Sequence, residues 1–150
     1  MNTITYFEIQ SSEPAREADF YQEVFGWDIQ LDESAPFTYY RITTDGLAGA
    51  ILGRPLDPPP ATAGTNAFTC SIRVKNFDAT ARLILEHGGA VSLPKFAIAG
   101  LAWWGYFTDP DNNVFGIFEE DASARVREAD AALISDFSKQ VRDYPGKSPR

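Results

Sequence analysis

Asp109, Asp111, Asn113 and Glu120 stand at positions 1, 3, 5 and 12 of the stretch DPDNNVFGIFEE. Oxygen-bearing side chains at that spacing can wrap a calcium ion. Such a loop turns sharply at its sixth position, where glycine is needed, and here that position is Val114. Pro110 stiffens the second position. VFGIFE is apolar and aromatic, which suits a strand better than an ion cage. The stretch therefore predicts a tight turn feeding a strand, with Asp and Asn bonding their own backbone.

The other reactive side chains are few. Cys70 is the single cysteine, so no internal disulfide forms. It lies in FTCSIRV, an apolar strand pattern, and is expected to be a small core residue. His87 is the single histidine and sits in LEHGG, at the expected end of a helix. Ser12, Thr69, Cys70 and Ser71 make no triad, because no histidine is near them in any plausible strand arrangement. AGLAWWG and HGGAV lack the spacing and the following helix of a phosphate-binding glycine loop.

The bulk composition narrows the classes. The 150 residues carry a net charge of −8, which argues against binding a phosphate backbone. Hydrophobic residues make up 44% and charged residues 23%, an ordinary globular balance. No run approaches the ~20 apolar residues of a membrane span. MNTITYFEIQ lacks a basic and then apolar signal pattern, so a cytoplasmic location is expected.

The elements that would position any site recur in order. Ile4 to Gln10 alternates as a strand. Ser12 offers an N-cap and Pro14 an early helical position. Ala18, Tyr21, Val24 and Phe25 form an apolar stripe that stops at Gly26. Trp27 to Leu31, Phe37 to Thr43 and Leu47 to Leu52 read as short strands. Arg54 to Asn66 is a proline-rich linker. Then comes a strand at Phe68 to Val74 and a helix at Asp78 to His87. Strands follow near Ala90 to Leu93, Leu101 to Thr108 and Val114 to Glu119. YYRITTD at Tyr39 to Asp45 also matches WWGYFTD at Trp103 to Asp109, and Gly49 in AGAIL matches Gly116 in FGIFE. One βαβββ unit is thus used twice. The predicted first module covers about residues 1–53 and the second about 67–120, with the linker at 54–66 between them. A tail at 121–150 follows.

Period two sorts the first strands. Phe7 and Ile9 are expected to face the helices, with Tyr6, Glu8 and Gln10 on the other side. Phe68, Cys70, Ile72 and Val74 match the former set, and Thr69, Ser71 and Arg73 the latter. In the tail, Asp121 or Ser123 could cap a helix running to about Arg142. Its stripe of Val126, Ala129, Leu133, Phe137 and Val141 would be buried, within the subunit or across a dimer.

TYFEIQSSEPAREADFYQEVFGW, VKNFDATARLILEHGGAV and YFTDPDNNVFGIFE resemble the vicinal oxygen chelate superfamily, which includes glyoxalase I, extradiol dioxygenases and bleomycin-resistance proteins. The resemblance covers most of residues 3 to 120. It implies an α+β domain over residues 1–120, in which paired βαβββ modules form a cupped mixed sheet with helices outside. It also implies a homodimer. Members typically hold a divalent metal in the cup. Their ligand positions fall here on Tyr6, Gly49, Thr69 and Gly116. Two glycines offer no donor, and Tyr and Thr are poor substitutes for imidazole and carboxylate. No metal and no other cofactor is therefore expected.

An emptied cup has other uses. Tyr6, Glu8, Thr69, Ser71, Arg73, Trp103 and Phe118 are the expected ligand-binding residues. Glu8 and Arg73 could instead form a buried ion pair joining the modules. Trp103 and Trp104 alternate, and the alignment favours Trp103 inward. The leading expectation is a metal-free protein that encloses a small organic molecule, with neither nucleic acid nor membrane as partner. An alternative is a lyase, isomerase or dioxygenase, using an unexpected metal site or Glu8 as general base. A further alternative is an interaction module whose cup is filled by its own side chains.

Overall fold

A computed structural model describes residue 4 and residues 6–54 and 68–132. The first module runs β1 (Tyr6–Ser11), α1 (Pro14–Phe25), β2 (Asp28–Leu31), β3 (Tyr39–Thr43) and β4 (Ala48–Gly53). The second runs β5 (Ser71–Arg73), α2 (Phe77–Glu86), β6 (Ala90–Ile98), β7 (Ala102–Thr108) and β8 (Val114–Glu120). Each module is a four-stranded mixed sheet, ordered β1-β4-β3-β2 and β5-β8-β7-β6. β1 runs parallel to β4, and β5 parallel to β8, while the remaining pairs are antiparallel. The duplicated βαβββ unit is therefore present as the repeat predicts. Most of the expected linker and the tail beyond residue 132 lie outside the described residues.

Local chemistry explains the helices. Pro14 opens α1, where its missing N–H would be unpaired in any case. Gly26 ends it at φ 66°, a left-handed cap that costs glycine little. Ser12 does not cap α1: the cap position is Glu13, which makes no side-chain cap bond. The Ser12 hydroxyl turns instead to Asp111 in the other module. α2 is capped by Asn76, whose side chain accepts from Ala79 N at 2.8 Å, and it ends at His87 as expected.

Three boundaries differ from the sequence reading. β5 spans only Ser71–Arg73, so Phe68 is 98% exposed and Cys70 is exposed rather than a core residue. An apolar pattern cannot by itself bury a segment, and among the described residues no element packs over this one. β6 is much longer than expected and runs through Pro94. It can do so because it is an edge strand with register shifts on both sides of Leu93. Neither Asp121 nor Ser123 caps a helix. Asp121 instead accepts from Ser123 N at 2.7 Å, closing a local turn. Helical structure begins at residue 128 and is described to residue 132, and the expected continuation through Leu133, Phe137 and Val141 lies outside the described residues.

The core lies between sheets and helices, and much of it joins the modules. Phe115 of β8 meets three rings of α1: Phe20 at 6.3 Å, Tyr21 at 6.0 Å and Phe25 at 5.8 Å. Tyr21 also stacks on Trp27 at 5.2 Å. Aromatic contacts of this kind bury large areas and add orientation preference. The first module's helix therefore anchors on the second module's sheet.

Candidate functional site

The ladders sort side chains into two faces, because neighbours in register share a face. Phe115 and Ile117 of β8 are buried toward the helices. Glu119 on the same face accepts from Phe77 N at 2.6 Å, at the start of α2. Gly116, Phe118 and Glu120 therefore occupy the opposite, inner face. Their register partners Ser71, Arg73, Trp104 and Tyr106 share it. In the first module Tyr6, Glu8 and Gln10 pair with Ala48, Ala50 and Leu52 on the inner face. Tyr39 and Arg41 continue that face across β3.

Trp104 rather than Trp103 lies on the inner face. Trp104 stacks on Phe118 with centroids 4.5 Å apart and planes within 10°. Trp103 sits on the outer face, where its Nε1 donates to Asp121 at 2.9 Å. Lys95 Nζ stands 4.8 Å and the Arg127 guanidinium 5.1 Å from its ring centroid. This arrangement clips the segment after β8 onto the sheet. Strand alternation requires adjacent tryptophans to diverge, but only the register against β8 says which way each one points.

Tyr6 is 41% exposed, and its hydroxyl lies 2.6 Å from that of Tyr39 and donates to Gly49 O at 3.0 Å. Burial of its oxygen, with Tyr39 bonded beside it, pushes the phenol up to about 12. Glu8, Ser71 and Arg73 all line a cleft of about 1220 Å³ between the modules. The cleft runs between edge strands β1 and β5, with Phe7, Ile9, Tyr21, Phe25 and Trp27 as apolar wall. Arg73 reaches Glu120 at 3.4 Å rather than Glu8, and both partners are well exposed. The expected buried Glu8–Arg73 pair is therefore not what joins the modules. Thr69 is exposed ahead of β5. The structure thus gathers Glu8, Ser71 and Arg73 at the seam and sets Phe118 nearby on β8. Trp103 stays apart on the far face.

Strand register decides where the positions expected to ligate a metal point. Glu8 lies opposite Ala50, and Ser71 opposite Gly116, so the equivalent of Gly116 is Ala50 rather than Gly49. A Cβ on Gly49 would meet the Phe7 ring at 2.7 Å, on the helix side. A Cβ on Gly116 would point inward, into Ser71 Oγ and 3.2 Å from Trp104 Nε1. Neither alanine nor glycine carries a donor, and the Tyr6 hydroxyl is committed to Tyr39 and the backbone. Among the described residues no group of three or more His, Cys, Asp or Glu is placed to hold an ion. These residues do not fit the divalent metal of the related fold.

What the sequence did not reveal is the use made of DPDNN. Its turn chemistry is as expected: Asp109 accepts from Asp111 N and Asn113 N, each at 2.9 Å, and Asn112 takes φ 63°. Asp111, however, turns away from its own turn and into the first module. It accepts from Ser12 N at 3.1 Å, Arg16 Nη2 at 2.8 Å and Arg54 Nε at 2.8 Å, besides the Ser12 hydroxyl. Arg54 also bonds Gln10 O and Asn113 Oδ1. Tyr21 of α1 donates to Asp109 at 3.0 Å. Burial alone would raise the Asp111 carboxyl, but the bonds from Ser12 and Arg54 outweigh it and hold it below the usual range. The signal available in sequence was an unusually dense set of acids and amides with arginines elsewhere. It does not name partners 57 to 99 residues away.

With this geometry established, comparison places the chain among known proteins. The model of the Glyoxalase/Bleomycin resistance protein/Dioxygenase superfamily matches residues 3–117. No curated protein matches the chain. Among solved structures, a glyoxalase/bleomycin resistance protein/dioxygenase family enzyme from Burkholderia phytofirmans is similar with TM-score 0.64 at 19% identity, over 80% of this chain and 100% of that one. A genomically encoded fosfomycin resistance protein from Listeria monocytogenes gives TM-score 0.62 at 15% identity, over 81% of this chain and 95% of that one. A glyoxalase-related enzyme from Fulvimarina pelagi gives TM-score 0.58 at 20% identity, over 85% and 98%. Likeness at these identities concerns the fold. No helix among the described residues is long and apolar enough to cross a membrane.

Proposed function

Because the chain belongs to the Glyoxalase/Bleomycin resistance protein/Dioxygenase superfamily, we propose that it binds a small organic molecule on its inner face without the family's metal. The observation that carries this reading is the Trp104–Phe118 stack, which lies beside the ligand-position residue Gly116. At Gly116 the absence of a side chain lets Ser71 and Trp104 close in where the related fold carries a metal ligand, so the surface there is aromatic rather than coordinating. A flat, largely apolar molecule gains most from such a wall. Ser71 and Arg73 share this face with the stack and lie at its β5 edge, and Glu8 lies across the seam. They suit a ligand with one polar end. The first module contributes a more polar surface through Tyr6, Tyr39 and Arg41, so the two modules would hold different parts of one molecule.

The experiment is a thermal-shift screen of planar organic compounds against the wild type, Trp104→Ala and Trp103→Phe. A compound at 100 times its dissociation constant adds about 2.7 kcal/mol of stability. The shift should disappear in Trp104→Ala and survive in Trp103→Phe. A ligand shift that needs Trp103 and ignores Trp104 refutes the assignment. A shift that requires an added divalent ion, and vanishes with chelator, refutes the metal-free reading.

A further inference from the structure

Glu17 is fully buried in α1, yet it is a carboxyl group. Its Oε1 accepts from Arg16 at 3.1 Å, while its Oε2 is buried with no donor. A carboxylate oxygen left bare in a protein interior is costly unless a proton sits on it. Asp109, on the turn between β7 and β8, lies against it and is itself fully buried. Asp109 already accepts from Asp111 N, Asn113 N, Asn113 Nδ2 and the Tyr21 hydroxyl. The Asp109 oxygens thus already have four donors and Glu17 Oε2 has none, so the proton belongs on Glu17.

The surrounding charges agree. From α1 come Arg16, Tyr21 and Glu13, the last reaching Arg16 at 3.5 Å on the surface. From the turn come Asp109 and Asp111. Arg54 enters from the end of β4 onto Asp111, and Cys70 approaches Tyr21 from the β5 side. At the junction three buried carboxyl groups, Glu17, Asp109 and Asp111, meet two guanidinium groups, the part-exposed Arg16 and Arg54. A single proton on Glu17 balances them.

We propose that Glu17 and Asp109 share one proton, and that this proton holds α1 of the first module against the β7–β8 turn of the second, as a latch that loosens in alkaline medium. Burial first, then the charge and hydrogen bonding of Asp109, push Glu17 up to about 9, against the opposing pull of Arg16. The folded chain then holds a proton that the unfolded chain has released above the ordinary glutamate range. The stabilisation is complete at acid pH and is lost as pH rises through about 9. Once the proton leaves, two buried carboxylates from different modules repel each other at the point where the modules join.

The test compares the wild type with Glu17→Gln, whose amide can donate to Asp109 at every pH. Urea unfolding midpoints are measured from pH 6 to 9.5, and amide exchange is followed in α1 and residues 109–113 after correction for intrinsic rates. The wild-type midpoint should fall relative to the variant as pH rises, and exchange at the junction should quicken only in the wild type. Independently of any variant, carbon-13 labelling of glutamate side chains in the wild type should show one carboxyl titrating with a midpoint near 9. If Glu17→Gln does not fold, that titration alone decides. Parallel pH profiles for the two proteins, or all glutamates titrating in the ordinary range, overturn the latch.

Discussion

Replacing Asp111 by asparagine keeps the side chain's shape and one oxygen acceptor but removes its charge. The Asp111 side chain is 2% exposed and its Arg54 partner 11%, so that pair is buried; Arg16 is 39% exposed and can recover water. Breaking one side of a buried ion pair costs about 3–5 kcal/mol. The solvated Arg16 and the retained acceptor place this change at the lower end, about 3 kcal/mol. For a chain near this length that corresponds to a fall of about 6–12 °C in Tm. With a urea dependence of about 2 kcal/mol per molar, the midpoint should drop by about 1.5 M. The assay is equilibrium urea unfolding followed by circular dichroism, with Asp32→Asn as control. Asp32 pairs at 2.6 Å with Arg41, which is 65% exposed and can recover water, so its loss should cost about 1 kcal/mol or less. If Asp111→Asn costs less than about 1 kcal/mol, or no more than the control, the turn does not clasp the modules. The acid limb gives a second reading. The Asp111 carboxyl is held below its usual range, so its contribution is present above the unfolded value and lost as pH falls through the folded one. Asparagine should flatten that limb.

Other outcomes follow from particular contacts. Gly49→Ala should destabilise strongly, by about 2 kcal/mol or more, because its Cβ would stand 2.8 Å from the Phe7 carbonyl as well as against the Phe7 ring. Unfolding of the purified variant checks this, and a neutral result would mean that β1 and β4 are spaced differently. Gly116→Glu should not create an ion site, because the new side chain displaces Ser71 and meets no imidazole. Calorimetry with zinc or manganese should show no tight binding, and stoichiometric uptake would contradict the inner-face geometry. Trp103→Phe removes the bond to Asp121 and weakens two cation contacts, so it should cost about 1–2 kcal/mol by thermal unfolding. No loss of stability there would mean that the segment after β8 does not depend on Trp103.

The repeat, the element order and most helix boundaries were legible in the sequence because they rest on local chemistry. Pro14 and Gly26 bracket one helix, His87 ends the other near where the sequence places it, and alternation marks the strands; the Asn76 cap of the second helix came only from the structure. That the family's ligand positions carry residues poor in donors was also legible, because it depends on residue type rather than on where a side chain points. Moving the counterpart of Gly116 from Gly49 to Ala50 leaves that conclusion intact.

Tertiary structure decided what depends on register and on distant partners. A shift of one residue turns a strand side chain to the other face, which is why Trp104 and not Trp103 meets Phe118. Cys70 and Phe68 look like core by pattern but lie exposed, since burial requires something packed on top. Ser12, Arg16, Glu17, Arg54, Asp109 and Asp111 are unremarkable along the chain. They become one bonded cluster around the buried Glu17, Asp109 and Asp111 only when α1 docks on the second module, because hydrogen bonds and charge act through space and leave no period in the sequence.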